Sequence, residues 1–162
     1  MISALLGDIT LIPTEAIVNS ANPSLLAGGG VCGAIHRVAG RKLEFSCRTI
    51  GKIEPGQAVI TLAYNLPADY VIHAVAPRYF DGSRGEVATL AQTYTAICEL
   101  IKSHAIATAS IPSLGTGVYR FPLELAAEIA TRTLRGCLPN SCAAQFVCFD
   151  ADTLNAYRHW IT

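Results

Sequence analysis

Short apolar runs alternate along this chain with longer segments of helical spacing, and the alternation predicts an α/β fold. Runs at Ile2–Leu6, Ala16–Val18, Ala58–Leu62, Tyr70–Val75, Ala109–Ile111 and Gln145–Phe149 are mostly β-branched or aromatic. Gly, Pro, Asn or Asp bound them, so each reads as a strand. Val87, Leu90, Ala91, Tyr94, Ile97, Cys98 and Ile101 keep the i, i+3, i+4, i+7 spacing of one helix face. A second helix is expected to take Pro122 as its first residue, run through Leu123, Ala126, Ala127, Ala130 and Leu134, and stop at Gly136. A third is expected after Asp152. Strands alternating with helices imply a mixed, mostly parallel sheet with helices on both faces, a three-layer α/β/α arrangement. Ligands of such sheets gather beyond the C-terminal ends of the strands.

Composition narrows the class. The chain has 162 residues, the size of a single domain over 1–162, with no repeat, linker or low-complexity segment. Half the residues are apolar and only 15% are charged, which excludes a disordered chain. Lys plus Arg equals Asp plus Glu, so no broad basic field exists to collect nucleic acid, and nucleic acid is not an expected partner. Any phosphate recognition must come from a local pocket. Cys32, Cys47, Cys98, Cys137, Cys142 and Cys148 form no C-x-x-C pair, and are read as reduced thiols. The first residues lack a basic n-region and no apolar run approaches the roughly 20 residues of a membrane span. A soluble, cytoplasmic monomer is expected.

Two glycine-containing loops carry the candidate chemistry. The first runs from Asn19 through Ala21, Asn22 and the consecutive Gly28, Gly29 and Gly30 into Val31, Cys32 and Gly33. It joins a strand to a helix, where glycine lets the backbone approach a ligand and the helix start offers unpaired N–H groups. The second, Ser113-Leu114-Gly115-Thr116-Gly117-Val118-Tyr119, also joins a strand to a helix. Two such loops facing each other suit a pyrophosphate held by backbone dipoles rather than by side-chain charge. Gly28 to Gly33 matches G-x-G-x-x-G literally, but Asn22 to Ala27 separate strand from glycines and Glu54 lies in a Glu-Pro-Gly turn, so the dinucleotide-fold context fails. No P-loop pattern is present.

The order of Gly7-Asp8-Ile9-Thr10, Ile17-Val18-Asn19-Ser20-Ala21-Asn22, Gly28-Gly29-Gly30-Val31 with Ala34-Ile35-His36, Val71-Ile72-His73-Ala74-Val75 and Ser113 to Tyr119 resembles the macrodomain family. The resemblance covers nearly the whole chain and is nearest to the MacroD-type hydrolase branch. It implies a mixed sheet between helical layers, ADP-ribose in a cleft at the crest of the sheet, and hydrolysis of ADP-ribose from Asp or Glu esters of modified proteins or deacetylation of O-acetyl-ADP-ribose. No cofactor is implied. The alternative is a reader that binds ADP-ribosylated partners and leaves the bond intact.

Carried over by motif, the resemblance gives Asp8 the adenine amino group, with Ile9 beside it and Phe149 over the adenine face. Gly30, Val31 and the run Ser113, Leu114, Gly115, Thr116, Gly117, Val118 and Tyr119 would hold the diphosphate. Ala21 and Asn22 would adjoin the distal ribose. Asp8 equally suits a turn cap, Phe149 a core position, and Asn22, ahead of Pro23, a turn start.

Many MacroD-type hydrolases carry Asp where this chain has Cys32. A thiol is a poor base unless its pKa is depressed, and a neighbouring pyrophosphate disfavours the thiolate. Cys32 is therefore expected to be a neutral thiol; alphavirus-like and rubella-like macrodomains resemble this chain in having Gly-Val-Cys here, which implies that hydrolysis of ADP-ribose linkages survives the loss of Asp. Catalysis then rests on positioning by Asn22 and Tyr119 of a water and of the scissile bond, with Cys32 at their side. His36 stands four residues after Cys32, yet no set of four metal ligands is evident and no metal is expected. His73 is read as a hydrogen-bonded core histidine rather than a general base.

Overall fold

In the computed structural model, which describes residues 1–162, strands β1 (Ile2–Leu6), β2 (Ala16–Ser20), β3 (Ala58–Leu62), β4 (Tyr70–Ala74), β5 (Thr108–Ile111) and β6 (Ala143–Cys148) form one sheet in the order β1-β6-β5-β2-β4-β3. Only β3 runs antiparallel, against β4; all other neighbours are parallel. Helices α1 (Gly30–Ala39), α2 (Arg41–Ile50), α3 (Glu86–Ser103), α4 (Leu123–Cys137) and α5 (Ala151–Ile161) complete the fold, with a 3₁₀ turn at Ile9–Leu11. None is long and apolar enough to cross a membrane.

The two-residue period of the strands sorts their side chains into two cores. Ala16, Val18, Ile72, Ala74, Ala109, Ile111 and Phe146 pack with Leu90, Tyr94, Ile97, Ala126, Ala130 and Tyr157, under α3, α4 and α5. Ile17, Val71, Val75 and Val147 pack with Ile35, Leu43 and Cys47, under α1 and α2. The three-layer architecture is the expected one.

The sequence reading differs from the fold at several boundaries. Pro122 is the N-cap of α4 rather than its first residue, and α4 runs past Gly136 to Cys137. Helix α5 starts at Ala151, because the Asp150 carboxylate accepts the Thr153 N–H at 2.8 Å and caps the helix. Helix α2 was not read from the sequence at all: its ten residues bury only Leu43 and Cys47. Leu43, Cys47 and Ile50 do keep the i, i+4, i+7 spacing of one face, but over only ten residues and few apolar positions. Gly40 and Gly51, both at positive φ, bound it on either side.

The reading of every cysteine as a free thiol is corrected at one pair. Cys98 of α3 and Cys137 at the end of α4 are joined by a disulfide, with Cα atoms 5.9 Å apart. They lie 39 residues apart in sequence, and only the side-by-side packing of α3 and α4 brings them together. Cys32, Cys47, Cys142 and Cys148 are free and buried.

Candidate functional site

The parallel strands β1, β6, β5, β2 and β4 all end on the same crest, and the residues that follow them stand in spatial order. Gly7 and Asp8 follow β1, Phe149 follows β6, Pro112 and Ser113 follow β5, Ala21 and Asn22 follow β2, and Val75 to Arg78 follow β4. Four interstrand steps of about 4.8 Å make this row about 19 Å long.

At the β1–β6 end a cleft of about 510 Å³ is lined by Asp8, Ile9, Gly30, Val31, Ser113 and Phe149, together with Ala34, Pro112, Cys148 and Thr153. Asp8 caps the 3₁₀ turn: its Oδ1 accepts the Thr10 N–H at 2.9 Å and the Thr10 hydroxyl at 2.6 Å. These bonds, the hydroxyl first, hold its carboxyl below the usual carboxylate range. Oδ2 takes no protein donor, so capping and ligand acceptance are compatible. Phe149 is 75% exposed, which removes the core reading and leaves its ring at the cleft wall. Lining by Thr153 and Ala34 was missed in the sequence reading, which looked at strand ends and loops. Both sit in the first turn or so of a helix aimed at the crest.

The two glycine loops flank the middle of the row. Gly29 caps α1, and Gly30 adopts φ +57°, a left-handed conformation that disfavours a side chain. The loop folds back on the helix so closely that a Cβ on Gly33 would lie 2.4 Å from the Gly28 carbonyl oxygen. Gly33 is the first residue of this segment whose N–H is satisfied, by the Gly29 carbonyl at 3.2 Å, so the N–H groups of Ala27 through Cys32 have no protein acceptor. The same holds across the facing loop. From Ser113 to Tyr119 no N–H donates to a main-chain carbonyl, the buried Leu114 N–H being turned toward the Tyr94 hydroxyl, while Arg120 and Phe121 donate back to the Gly117 and Gly115 carbonyls and close the turn. Leu114 and Gly115 are buried beneath the loop. Val118, 85% exposed, forms its tip. Ser113 Oγ is fixed by Thr116 Oγ1 at 2.8 Å and by the Tyr157 hydroxyl at 2.9 Å. Of these two runs Gly30, Val31 and Ser113 line the cleft, which has no cationic side chain in its wall.

Asn22 and Tyr119 do not line that cleft; they line two cavities beyond it that share Pro23. Asn22 borders one of about 570 Å³ with Leu26, Arg48 and Lys52. Tyr119 borders the other, about 320 Å³, with Pro77, Arg78, Phe80 and Arg84. The Asn22 carboxamide is engaged by its own loop, donating from Nδ2 to the Leu26 carbonyl at 2.8 Å and accepting the Ser24 hydroxyl at 2.5 Å. Half-buried, it also lies against Gly28.

Cys32 is buried behind the glycine loop rather than in the cleft, and Ala21 is buried beside it at the end of β2. The Cys32 thiol donates to the Leu26 carbonyl at 3.6 Å and accepts from Asn19 Nδ2 at 3.7 Å. Asn19 in turn donates to His73 Nδ1 at 3.1 Å. The Thr61 hydroxyl is committed to the Leu62 carbonyl, so His73 Nε2–H donates to Thr61 Oγ1 at 3.0 Å. His73 is fully buried, and burial, aided by the neighbouring His36, pushes it down to about 3. It is a neutral core histidine, as expected.

The comparisons fit this geometry. The O-acetyl-ADP-ribose deacetylase 1 of Pantoea vagans is 46% identical over 163 aligned positions, covering 96% of this chain and 95% of that protein. The Oceanobacillus iheyensis macrodomain with ADP superposes with a TM-score of 0.92 at 34% identity, over 97% of this chain and 87% of that one. The Trypanosoma brucei macrodomain in complex with ADP-ribose gives a TM-score of 0.90 at 33% identity, over 99% of this chain and 69% of that one. With the Macro domain model matching residues 18–130 as well, the chain belongs to the Macro domain family.

Proposed function

We propose that this chain binds ADP-ribose along the crest and hydrolyses ester-linked derivatives of it, O-acetyl-ADP-ribose and ADP-ribosylated Asp or Glu side chains. The observation that carries the reading is the pair of loops, Ala27–Cys32 and Ser113–Tyr119, whose N–H groups have no main-chain acceptor. Runs of free backbone donors bind anions without a charged side chain. Adenine goes to Asp8 and Phe149, the diphosphate between the loops, and the distal ribose to Asn22. Deacetylase relatives and neighbours holding ADP or ADP-ribose support this assignment.

The chemistry follows from what the distal end lacks. No carboxylate adjoins Asn22, and Cys32 faces inward. A water held between a ligand phosphate oxygen and the Asn22 carboxamide attacks the anomeric carbon of a modified Asp or Glu. The new carbon–oxygen bond forms as the bond to the carboxylate breaks, and the phosphate oxygen receives the proton. On O-acetyl-ADP-ribose the same water attacks the acetyl carbonyl and gives its proton to the phosphate oxygen; the acyl carbon–ribose oxygen bond then breaks, the ribose oxygen takes that proton, and acetate leaves as its acid. Positioning supplies the rate.

Mixing the protein in catalytic amounts with O-acetyl-ADP-ribose, and separately with a protein ADP-ribosylated on acidic residues, tests the reading. Release of ADP-ribose over many turnovers is expected, with free ADP-ribose binding in the micromolar range, about −8 kcal/mol. Binding without turnover on either substrate would make the chain a reader instead.

A further inference from the structure

Beyond Asn22 the row of strand ends does not stop. It continues to the segment after β4, where Arg78, Phe80 and Arg84 surround the cavity that also contains Pro23 and Tyr119. Arg78 lies over the Tyr119 ring at 5.3 Å and Arg84 over the Phe80 ring at 4.4 Å. Neither guanidinium has a carboxylate partner: the ion pairs of this protein are Arg48–Glu44, Lys52–Glu54 and Arg132–Glu128. A guanidinium held near a ring by cation–π attraction keeps its N–H groups available to a carboxylate.

The segment carrying these side chains is also fixed. Glu86, buried at the start of α3, accepts the Phe80, Asp81 and Gly82 N–H groups on Oε2 at 2.9, 3.1 and 2.9 Å, and the Arg84 N–H on Oε1 at 2.5 Å. Those bonds, Phe80's foremost, hold its carboxyl down at about 2, and they engage its oxygens with backbone donors rather than with the arginines. Asp81 uses Oδ1 on the Ser83 N–H and hydroxyl. Arg48 and Lys52, in the cavity on the other side of Pro23, are by contrast paired with Glu44 and Glu54.

We propose that Arg78 and Arg84 form a subsite for the polypeptide that bears the ADP-ribosyl group, taking acidic side chains that flank the modified residue. The inference rests on the hydrolase reading above and specifies its substrate: a modified segment in an acidic context, read by two free guanidinium edges. A single-stranded nucleic acid fits less well. It needs a basic groove that tracks the phosphate backbone, and here two arginines stand in one segment with the carboxylates of Asp81 and Glu86, in a chain of zero net charge.

The test compares peptides ADP-ribosylated on one Glu and flanked by Glu or by Gln, with O-acetyl-ADP-ribose turnover and ADP-ribose affinity measured alongside. The native protein is expected to favour the Glu-flanked peptide about five- to tenfold in kcat/KM, through KM, as two exposed charge-assisted contacts permit. Raised salt should erode the preference. Arg84→Gln is expected to remove most of it, and Arg84→Glu to reverse it toward a Lys-flanked peptide, both leaving O-acetyl-ADP-ribose turnover unchanged. Equal handling of all flanks by the native protein, or a preference that survives Arg84→Glu, overturns the subsite while leaving the hydrolase reading intact. An oligonucleotide that competes with the Glu-flanked peptide through Arg84 overturns the peptide assignment. Failure to bind ADP-ribose at all would instead strike the reading on which the subsite rests.

Discussion

Asn22 and Cys32 are tied to one acceptor: the Leu26 carbonyl receives the Asn22 Nδ2–H at 2.8 Å and the Cys32 thiol at 3.6 Å. That shared oxygen closes the glycine loop across its base and couples the side chain assigned to the distal ribose to the first turn of α1. It also gives Cys32 a role that needs no ionisation. Serine keeps one donor and one acceptor at that position, so Cys32→Ser is expected to fold, bind ADP-ribose and retain activity within about threefold, a change under 1 kcal/mol. The pH–rate profile is expected to keep its shape. An inactive Cys32→Ser protein that still binds ADP-ribose would place the thiol in the chemistry and remove the substrate-assisted mechanism.

Much of this was legible in the residues themselves. Strands with two-residue alternation and helices that bury a wide stripe, such as Leu90, Tyr94, Ile97 and Ile101, announce themselves locally. The glycine loops did so too, because Gly30 and Gly115 occupy positive φ that few other residues adopt. Three features escaped the sequence, the first on a short face of few apolar residues and the other two because they depend on tertiary contacts. Helix α2 needs only two buried positions, the Cys98–Cys137 bond needs α3 beside α4, and the inward turn of Cys32 needs Asn19 on β2 and His73 on β4 to meet in register. The cationic pair after β4 was missed for the same reason. Arg78 and Arg84 look like ordinary surface charge until strand order sets them next to Asn22 and Tyr119.

The glycine loop gives a contrast between two neighbours. A Cβ on Gly33 would meet the Gly28 carbonyl oxygen at 2.4 Å, a backbone atom that cannot swing aside, whereas a Cβ on Gly29 meets nothing within 4 Å and φ there is −85°. Gly33→Ala is expected to displace the loop and weaken ADP-ribose binding by tenfold or more, about 1.4 kcal/mol. Gly29→Ala should leave the melting temperature of the free protein within about 2 °C, since surface changes away from strain cost within about 0.5 kcal/mol. Calorimetry and thermal melts on the two variants decide this; equal affinities would show that the loop does not hold the ligand.

Phe149 offers a check on the adenine end. With three quarters of its surface exposed, its ring adds little to the core. Phe149→Ala is therefore expected to lower ADP-ribose affinity by about 1 kcal/mol, five- to tenfold, while thermal stability of the free protein is unchanged. A large fall in melting temperature with unaltered affinity would return the ring to a packing role.

Stability should fall with acid, and the sign follows from His73. Its imidazole titrates near 6.5 in the unfolded chain and near 3 when folded, first because it is buried and second because His36 is near. Between those values the unfolded state binds more protons, so stability is full above pH 6.5 and declines below it, by about 1.4 kcal/mol per pH unit for this one site. His36, lowered by its own burial, acts in the same direction. Urea midpoints measured at pH 7, 5.5 and 4.5 are expected to fall in that order, and His73→Gln to flatten the slope. A slope unchanged in His73→Gln would assign the acid sensitivity to other groups.

The sharpest test of catalysis by positioning lies at Asn22. Its Nδ2–H reaches Leu26 in the free protein, and Oδ1 receives the Ser24 hydroxyl, so the carboxamide is held by two bonds before any ligand arrives. Alanine removes the group that would orient water and ribose, but leaves Asp8, Phe149 and both runs of loop N–H groups where they are. Turnover of Asn22→Ala on O-acetyl-ADP-ribose should drop ten- to a hundredfold, about 1.4–2.7 kcal/mol of transition-state stabilisation. ADP-ribose affinity should drop much less, by threefold or so, under 1 kcal/mol. Cys32 still donates to Leu26 in this variant, so the loop keeps one of its two ties and a general collapse is not expected. If affinity and turnover instead fell by the same factor, Asn22 would be a ground-state contact, and the rate would have to come from elsewhere in the site.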